Sequence, residues 1–181
     1  MTFFQNKQII IRESWESDVD KWYKWLNDPE TTSLVNHGTF PNTYENQIKF
    51  REENITKNSK KILFSIAEKR KIENIVGTCS INLHDDFSRT GEISVIIGEK
   101  NFRSGSNYLD ITKWQINHCF LNLNLETIFA VPAENNQVVV FCLERLGFKK
   151  NGLQRSRIFK NGKYLNRIYF DLLKKEWLAH S

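Results

Sequence analysis

The stretch "IVGTCSINLHDDFSRTGEISVIIGEKNFRSGSNYLDI", Ile75 to Ile111, decides how this chain folds. Its hydrophobic period changes twice. Over Ile75–His84 and Thr90–Ile97, β-branched residues dominate, as expected of strands, and the polar, turn-forming run Asp85–Thr90 between them marks a hairpin. On the second strand Glu92, Ser94 and Ile96 share one face, and Ile93, Val95 and Ile97 share the other. After Gly105, the residues Leu109, Thr112, Ile116, Phe120 and Leu123 recur at helical spacing. A strand end, a polar loop and a helix start together present backbone N–H groups and the positive end of a helix dipole, a layout that holds anions. Yet the loop carries no Walker or dinucleotide fingerprint. It has only Gly98 and Gly105, and the bulky Tyr108 stands near the helix start. Two readings stay open at this point: an altered phosphate loop, or a plain strand-to-helix connection.

Outward from this segment the remaining elements follow. "QIIIRE" (Gln8–Glu13) reads as a first strand. Ser14 or Ser17 is expected to cap a helix carrying Val19, Trp22 and Trp25, which Asp28-Pro29 ends. A second helix follows, with Thr43 as its N-cap and Glu45 in its first turn. "KILFSIAEK" places Ile62, Phe64 and Ile66 on one strand face. "ETIFAV" reads as a short buried strand. "NNQVVVFCLERLGF" reads as a helix stopped by Gly147, against the poor helix propensity of its three valines. Asn161-Gly162 marks a terminal hairpin. The order β-α-α-β-β-β-α-β-α-β-β predicts an α/β fold in one domain over residues 1–181. Its central mixed, mostly antiparallel sheet is flanked by helices.

Composition bounds the function. The 181 residues contain 40% hydrophobic and 13% aromatic side chains, enough for a globular core. Three cysteines (Cys79, Cys119, Cys142) form an odd and scattered set, which suits free buried thiols and a cytoplasmic setting. No signal peptide or membrane span is visible. The net charge of +5, with basic residues gathered between Arg145 and Arg167, suits an anionic partner such as a nucleotide. Phe148, Phe159 and Tyr164 interleave with these charges, but no nucleic-acid-binding signature accompanies them, and nucleic acid is not the expected partner. His37, His84, His118 and His180 are dispersed without ligand spacing, so no metal is expected. Cys142 reads as a core residue rather than a nucleophile.

Four segments, in order, resemble the GNAT superfamily of acyl-CoA-dependent N-acetyltransferases. The resemblance is greatest to the RimJ/RimL-like branch of ribosomal-protein and amino-sugar acetyltransferases. "IIIRESWESDVDKWYKWLNDPE", with Arg12, Asp18, Trp25, Asn27 and Asp28, is similar to the family's opening strand and helix. "IVGTCSINLHDDFSRTGEISVIIGEKNFRSG" resembles its central hairpin and loop. "PAENNQVVVFCLERLGFKKNG" resembles its late helix, and "KNGKYLNRIYFDLLKKEW" its last hairpin.

The resemblance implies acetyl-CoA as cosubstrate and no metal. The family's pyrophosphate loop reads Arg-x-x-Gly-x-Gly or Ala. Arg103 matches its basic residue, while Ser106 and Tyr108 fall on its small positions. The opening question is thus answered by a degenerate pyrophosphate loop made of Arg103, Ser104, Gly105, Ser106 and Asn107, with Gly105 available in a shifted register. Ser94, Val95, Ile96 and Ile97 would pair with the pantetheine arm, and an amide of this strand would polarise the thioester. Asn136 matches a residue that contacts CoA. Glu92 is the first candidate for the base that deprotonates the amine, and His84, at the end of the preceding strand, is the second. Leu143 stands where many members carry a Tyr that protonates the leaving thiolate, and Tyr108 is a local substitute donor.

The residues 26–50 resemble the matching segment of enzymes that acetylate nucleotide-linked amino sugars. The expected reaction is direct attack of such an amine on acetyl-CoA in a ternary complex, by a monomer or homodimer. Two alternatives stand beside it: a protein N-terminal acetyltransferase of the ribosomal-protein type, and a non-catalytic acyl-CoA-binding pseudoenzyme.

Overall fold

The computed structural model describes residues 1–33, 39–54 and 60–179. His37, His180 and part of the segment 26–50 therefore lie outside the described residues. The strands are β1 (Thr2–Gln5), β2 (Ile9–Glu13), β3 (Lys61–Glu68), β4 (Lys71–Asp85), β5 (Thr90–Ile97), β6 (Thr127–Ala130), β7 (Lys149–Lys160) and β8 (Lys163–Leu173). The helices are α1 (Val19–Asn27), α2 (Tyr44–Asn54), α3 (Gly105–Asn117), α4 (Gln137–Arg145) and α5 (Lys174–Ala179). All eight strands form one sheet in the order β1-β2-β3-β4-β5-β6-β8-β7. Every neighbouring pair is antiparallel except β5 with β6.

The predicted architecture holds, with two additions, β1 and α5. β1 is only four residues long, and α5 only six. Both exist because a neighbour supplies what their own sequence does not. β1 pairs with β2, and its Phe3 packs edge-on against Phe64. α5 docks through Trp177, whose indole N–H donates to Asn117 Oδ1 at 2.8 Å.

Strand alternation divides the core. Ile9, Ile11, Phe64, Ile66, Cys79, Ile81 and Ile93 face α3 and α4, whereas Ile10 joins Val19, Trp22, Trp25 and Ile75 beneath α1 and α2. All three cysteines are free and buried. The α1 stripe Val19, Trp22, Trp25 follows from spacing, and burying each of these side chains contributes about 1.5–3 kcal/mol. Thr43 caps α2, its Oγ1 accepting from the Asn46 N–H at 3.2 Å. Gly147 (φ 88°) closes α4, and Asn161 and Gly162 (φ 50° and 74°) form the predicted left-handed turn.

The cap expected at Ser14 or Ser17 is corrected. A short 3₁₀ turn, Glu16–Asp18, precedes α1, and the Asp18 carboxylate, not a serine hydroxyl, gathers the local donors. It accepts from the Trp15 N–H at 2.8 Å and the Ser65 hydroxyl at 2.6 Å. It also takes both guanidinium ends of Arg12, at 2.8 and 2.9 Å. Arg12 is 2% exposed and Asp18 1%. Arg12 also donates to the Ile72 and Glu13 carbonyls and lies over the Trp15 ring. A buried ion pair with every oxygen satisfied is tolerated, but breaking it leaves a bare charge in the interior. The Asp18→Ala variant should therefore lose about 3–5 kcal/mol of stability in urea unfolding. Ser65→Ala, which removes one neutral donor, should lose about 1–2 kcal/mol. Equal losses for the two would overturn this account.

Candidate active site

The parallel partners β5 and β6 pair only at Thr90–Glu92 against Thr127–Phe129. Beyond Ala130 the chain follows β8 instead. The Ile168 N–H donates to the Pro132 carbonyl at 3.0 Å, Ala133 bridges Arg167, and the Glu134 N–H donates to the Asn166 carbonyl. Pro132 has no N–H to offer β5 in any case. The two strands part, and the edge of β5 from Val95 to Ile97 is left open.

Which groups line that edge follows from register. On β4 the Leu83 N–H donates to the Lys60 carbonyl of the β3 side, and on β5 the Gly98 N–H donates to Val76 of β4. Ser80 lies opposite Ser94, and Asn82 opposite Glu92. In an antiparallel pair such residues bond alternately inward and outward. Glu92, Ser94 and Ile96 thus turn their backbone groups toward β4. Ile93, Val95 and Ile97 turn theirs the other way, Ile93 at the last pairing with β6 and Val95 and Ile97 on the open edge. The Ile97 carbonyl fits this pattern, because it accepts from Arg103 Nε at 3.0 Å.

The loop after β5 leads into α3. Ser104 is its N-cap, with its hydroxyl accepting from the Asn107 N–H at 3.2 Å. The Tyr108 N–H donates to the Ser104 carbonyl. Tyr108 therefore sits past the free end of the helix, and its burial pushes the phenol pKa well above the ordinary range. Among the described residues, nothing accepts from the Gly105 and Ser106 amides, so these are the donors the helix terminus offers. They open on a shallow groove with Leu109, Gln137, Val138, Phe141 and Cys142, between the starts of α3 and α4. A Cβ on Gly105 would come no nearer than 3.9 Å to Cys142, so the protein itself does not require glycine there.

Three predicted loop and cap residues behave differently from simple ligands. Arg103 is folded back onto the strand end. It donates to the Ile97 and Gly98 carbonyls and to Thr31 Oγ1, and pairs with Glu30 at 3.2 Å. Asn107 is 2% exposed, and its side chain bonds the Phe102 carbonyl and Asn6. Only its position in the loop remains available to a ligand. Asn136 is the N-cap of α4, its Oδ1 accepting from the Val139 N–H at 3.4 Å.

The opposite sheet face holds a cavity of about 640 Å³ beneath α1, α2 and the β7–β8 hairpin. Its floor is Thr78, Ser80, Ser94 and Ile96, with the Ser80 and Ser94 hydroxyls 2.8 Å apart. Trp22, Trp25, Phe40, Phe50, Phe159 and Tyr164 make its walls. Lys61 and Arg157 are its charged lining, and no carboxylate is among the described lining residues. Burial lowers the Lys61 pKa, an effect that the Glu92 charge opposes. Among the late basic residues, only Arg157 reaches this cavity. Lys149 is paired with Glu176 at the other end of the hairpin. Arg157 enters because β7 bulges between Gln154 and Ile158, where Ser156 takes a φ of 50°. No periodicity marks that bulge, which therefore has no signature in the sequence.

Glu92 lies on the same face as Ser94, one pleat further from the loop. Its carboxylate is 3.5 Å from Asn82 Nδ2 and 3.7 Å from His84 Nε2. The hairpin register thus brings both predicted catalytic groups together. His84 in turn packs edge-on to Phe129, which stacks on Tyr169. Among the described residues there is no group of His, Cys, Asp or Glu arranged to hold a metal ion. Nor is any described helix long and apolar enough to cross a membrane.

Gly98, directly after β5, lies against a wall of the larger cavity. A Cβ there would fall 2.1 Å from the Trp25 ring, so only glycine lets that indole close over the end of β5. The same residue's carbonyl holds Arg103.

Comparison with known proteins places this architecture. The model for the acetyltransferase (GNAT) domain matches residues 8–149. The chain is 26% identical to Uncharacterized N-acetyltransferase p20 of Bacillus licheniformis over 178 residues, 98% of this chain and 99% of that protein. It is 28% identical over 103 residues, 57% of this chain and 56% of that protein, to a Bacillus subtilis (strain 168) protein provisionally named ribosomal N-acetyltransferase YdaF. The fold superposes on the spermidine N-acetyltransferase of Vibrio cholerae, solved with CoA and spermine. The TM-score is 0.85 and the identity 20%, over 96% of this chain and 99% of that one. An open strand edge beside a helix N-terminus, matched by this family over most of the chain, leads to one conclusion: the protein belongs to the GNAT acetyltransferase family.

Proposed function

We propose that this N-acetyltransferase moves the acetyl group of acetyl-CoA to an amine carried on an anionic, ring-containing body, with a nucleotide-linked amino sugar as the acceptor that fits best. The observation that carries the proposal is the charge of the 640 Å³ cavity, which has Lys61 and Arg157 in its lining and no carboxylate among the described lining residues. A polycation such as spermine needs carboxylates to replace its water shell, and a cationic lining repels it. The six aromatic side chains offer faces for a ring, and Arg157 a fork for a phosphate. The partial match to a protein named as a ribosomal acetyltransferase keeps protein N-termini as the second reading.

In this reading the Gly105 and Ser106 amides hold the pyrophosphate at the positive end of α3. The Val95 and Ile97 amides, on the open edge of β5, pair with the pantetheine arm as a further strand would. The Val95 N–H then faces the thioester oxygen, which gains charge as the amine attacks. Glu92, beside the pocket floor, takes the proton from the acceptor ammonium directly or through water, and His84 is the alternative base. The bond formed is N–C and the bond broken is C–S. The sulfur leaves as thiolate, and the second proton of the nitrogen, shed as the tetrahedral intermediate collapses, passes through water to that thiolate. Arg103 acts by pinning the loop to the Ile97 and Gly98 carbonyls rather than by reaching into the groove.

The deciding experiment compares kcat/KM for a panel of nucleotide-linked amino sugars, N-terminal peptides and polyamines with acetyl-CoA. The sugars should lead; peptides or polyamines turning over far faster than every sugar would overturn the acceptor assignment. Retained acetyl-CoA binding without turnover of any amine would favour the pseudoenzyme. For the base, Glu92→Gln should lower kcat by about 100- to 10,000-fold with acetyl-CoA affinity unchanged. The large loss falling on His84→Ala instead would transfer the role to His84. For the loop, Arg103→Ala should weaken acetyl-CoA binding by about 1–3 kcal/mol in calorimetry. Ser106→Gly should leave that binding unchanged, because the contact uses the backbone amide. Unaltered affinity in Arg103→Ala would remove the residue from the loop's support.

A further inference from the structure

Gln115 is a buried polar residue that neither cavity uses. It lies on α3, is 0% exposed, and approaches the sheet from the face opposite the acceptor cavity. Its Nε2 donates to two backbone carbonyls at once, Ser80 O at 3.1 Å and Ser94 O at 3.2 Å. Its Oε1 has no partner among the described residues. An unmade bond at a buried amide oxygen lowers stability. Turning the amide over would not help, because Oε1 would then face two carbonyl oxygens. The orientation is therefore fixed by the two acceptors, and the protein keeps a buried, half-satisfied amide to hold it there.

The second acceptor gives the arrangement a consequence. The Ser94 carbonyl and the Val95 N–H belong to the same peptide group. That carbonyl points toward β4, and the N–H points to the open edge of β5. A donor placed on the carbonyl draws electron density from the peptide and strengthens its N–H as a donor. It also locks the plane of that peptide where β5 has no neighbour on its other side. The Thr112 hydroxyl, one turn earlier on α3, is buried as well, so two polar side chains lie among Ile111 and Ile116 where a helix-to-sheet contact is ordinarily apolar.

We infer that Gln115 is a positioning residue for acetyl transfer: by donating to the Ser94 carbonyl from behind the sheet, it aims and strengthens the Val95 N–H for the charge that develops on the thioester oxygen. This rests on the assignment of Val95 as the thioester's partner. Gln115 touches neither substrate, so its effect belongs to the chemical step and not to binding.

The test uses Gln115→Met, which keeps length and removes the donor, and Gln115→Glu, which donates only while protonated. Steady-state kinetics are combined with difference infrared spectra of bound acetyl-CoA labelled with carbon-13 at the thioester carbonyl. Gln115→Met should lower kcat by about 3- to 30-fold, less than loss of a direct oxyanion donor. KM for both substrates should change little. The bound carbonyl stretch, lowered in the native protein relative to water, should move back toward the free value. Gln115→Glu should approach native kcat at low pH and lose it as pH rises, a profile that the native protein, measured alongside, should lack. It decides the matter if the Met variant does not fold. An unshifted stretch in an active native protein would overturn the Val95 assignment and this inference together. A shifted native stretch that Gln115→Met leaves in place, with kcat intact, would overturn the role of Gln115 alone. The same holds for a Gln115→Glu profile parallel to native.

Discussion

The parting of β5 from β6 is the constraint on which the site depends. Two parallel strands that remain paired leave no free amide between them, and a sheet closed along its length offers a ligand only side chains. Here the divergence has a definite cause. After Ala130 the chain continues its bonds to β8 through Pro132, Ala133 and Glu134, and β8 is long enough to hold it. The pairing at Thr90–Glu92 acts as the hinge of a wedge. Outward from that hinge lie the open edge, the pocket floor and finally the loop, so a single strand touches every part of the site.

The two faces of β5 then do different work. On one, Ile93, Val95 and Ile97 pack toward α3 and make the strand rigid. On the other, Ser94 and Ile96 floor the 640 Å³ cavity, with Glu92 on the same face. The buried Arg12–Asp18 pair supports this second face from a distance. It ties β2 to the turn that launches α1, and through Ser65 to β3. α1 carries Trp22 and Trp25, which are both core residues and pocket walls. An apolar replacement of similar shape can match such a pair in stability, but it does not fix the entry angle of α1 through directional bonds.

Much of this was legible in the sequence because it is local. Alternation assigned the two faces of β5, the hairpin at Asp85–Thr90 brought His84 beside Glu92, and Gly147 and Asn161-Gly162 marked their own turns. What was not legible depends on partners far along the chain. β1 and α5 are too short to declare themselves. Asp18, read only as part of a family pattern, proved to be the buried acceptor that organises α1. The motif located Arg103 but not its direction, which is set by carbonyls of the preceding strand. Gln115 looked like one more polar residue on a helix, and nothing in its spacing tells that two strand carbonyls lie within its reach. Arg157 depends on a bulge with a left-handed serine, which has no sequence mark.

Gly98 serves two neighbours at once. Its missing side chain admits the Trp25 ring, a wall of the 640 Å³ cavity, while its carbonyl anchors Arg103 ahead of α3. An occupant that presses on Trp25 presses on the same peptide that steadies the loop. Under the proposed function, the affinities of the two substrates are then linked through this one residue. Whatever factor one ligand imposes on the other through it must be returned in equal measure.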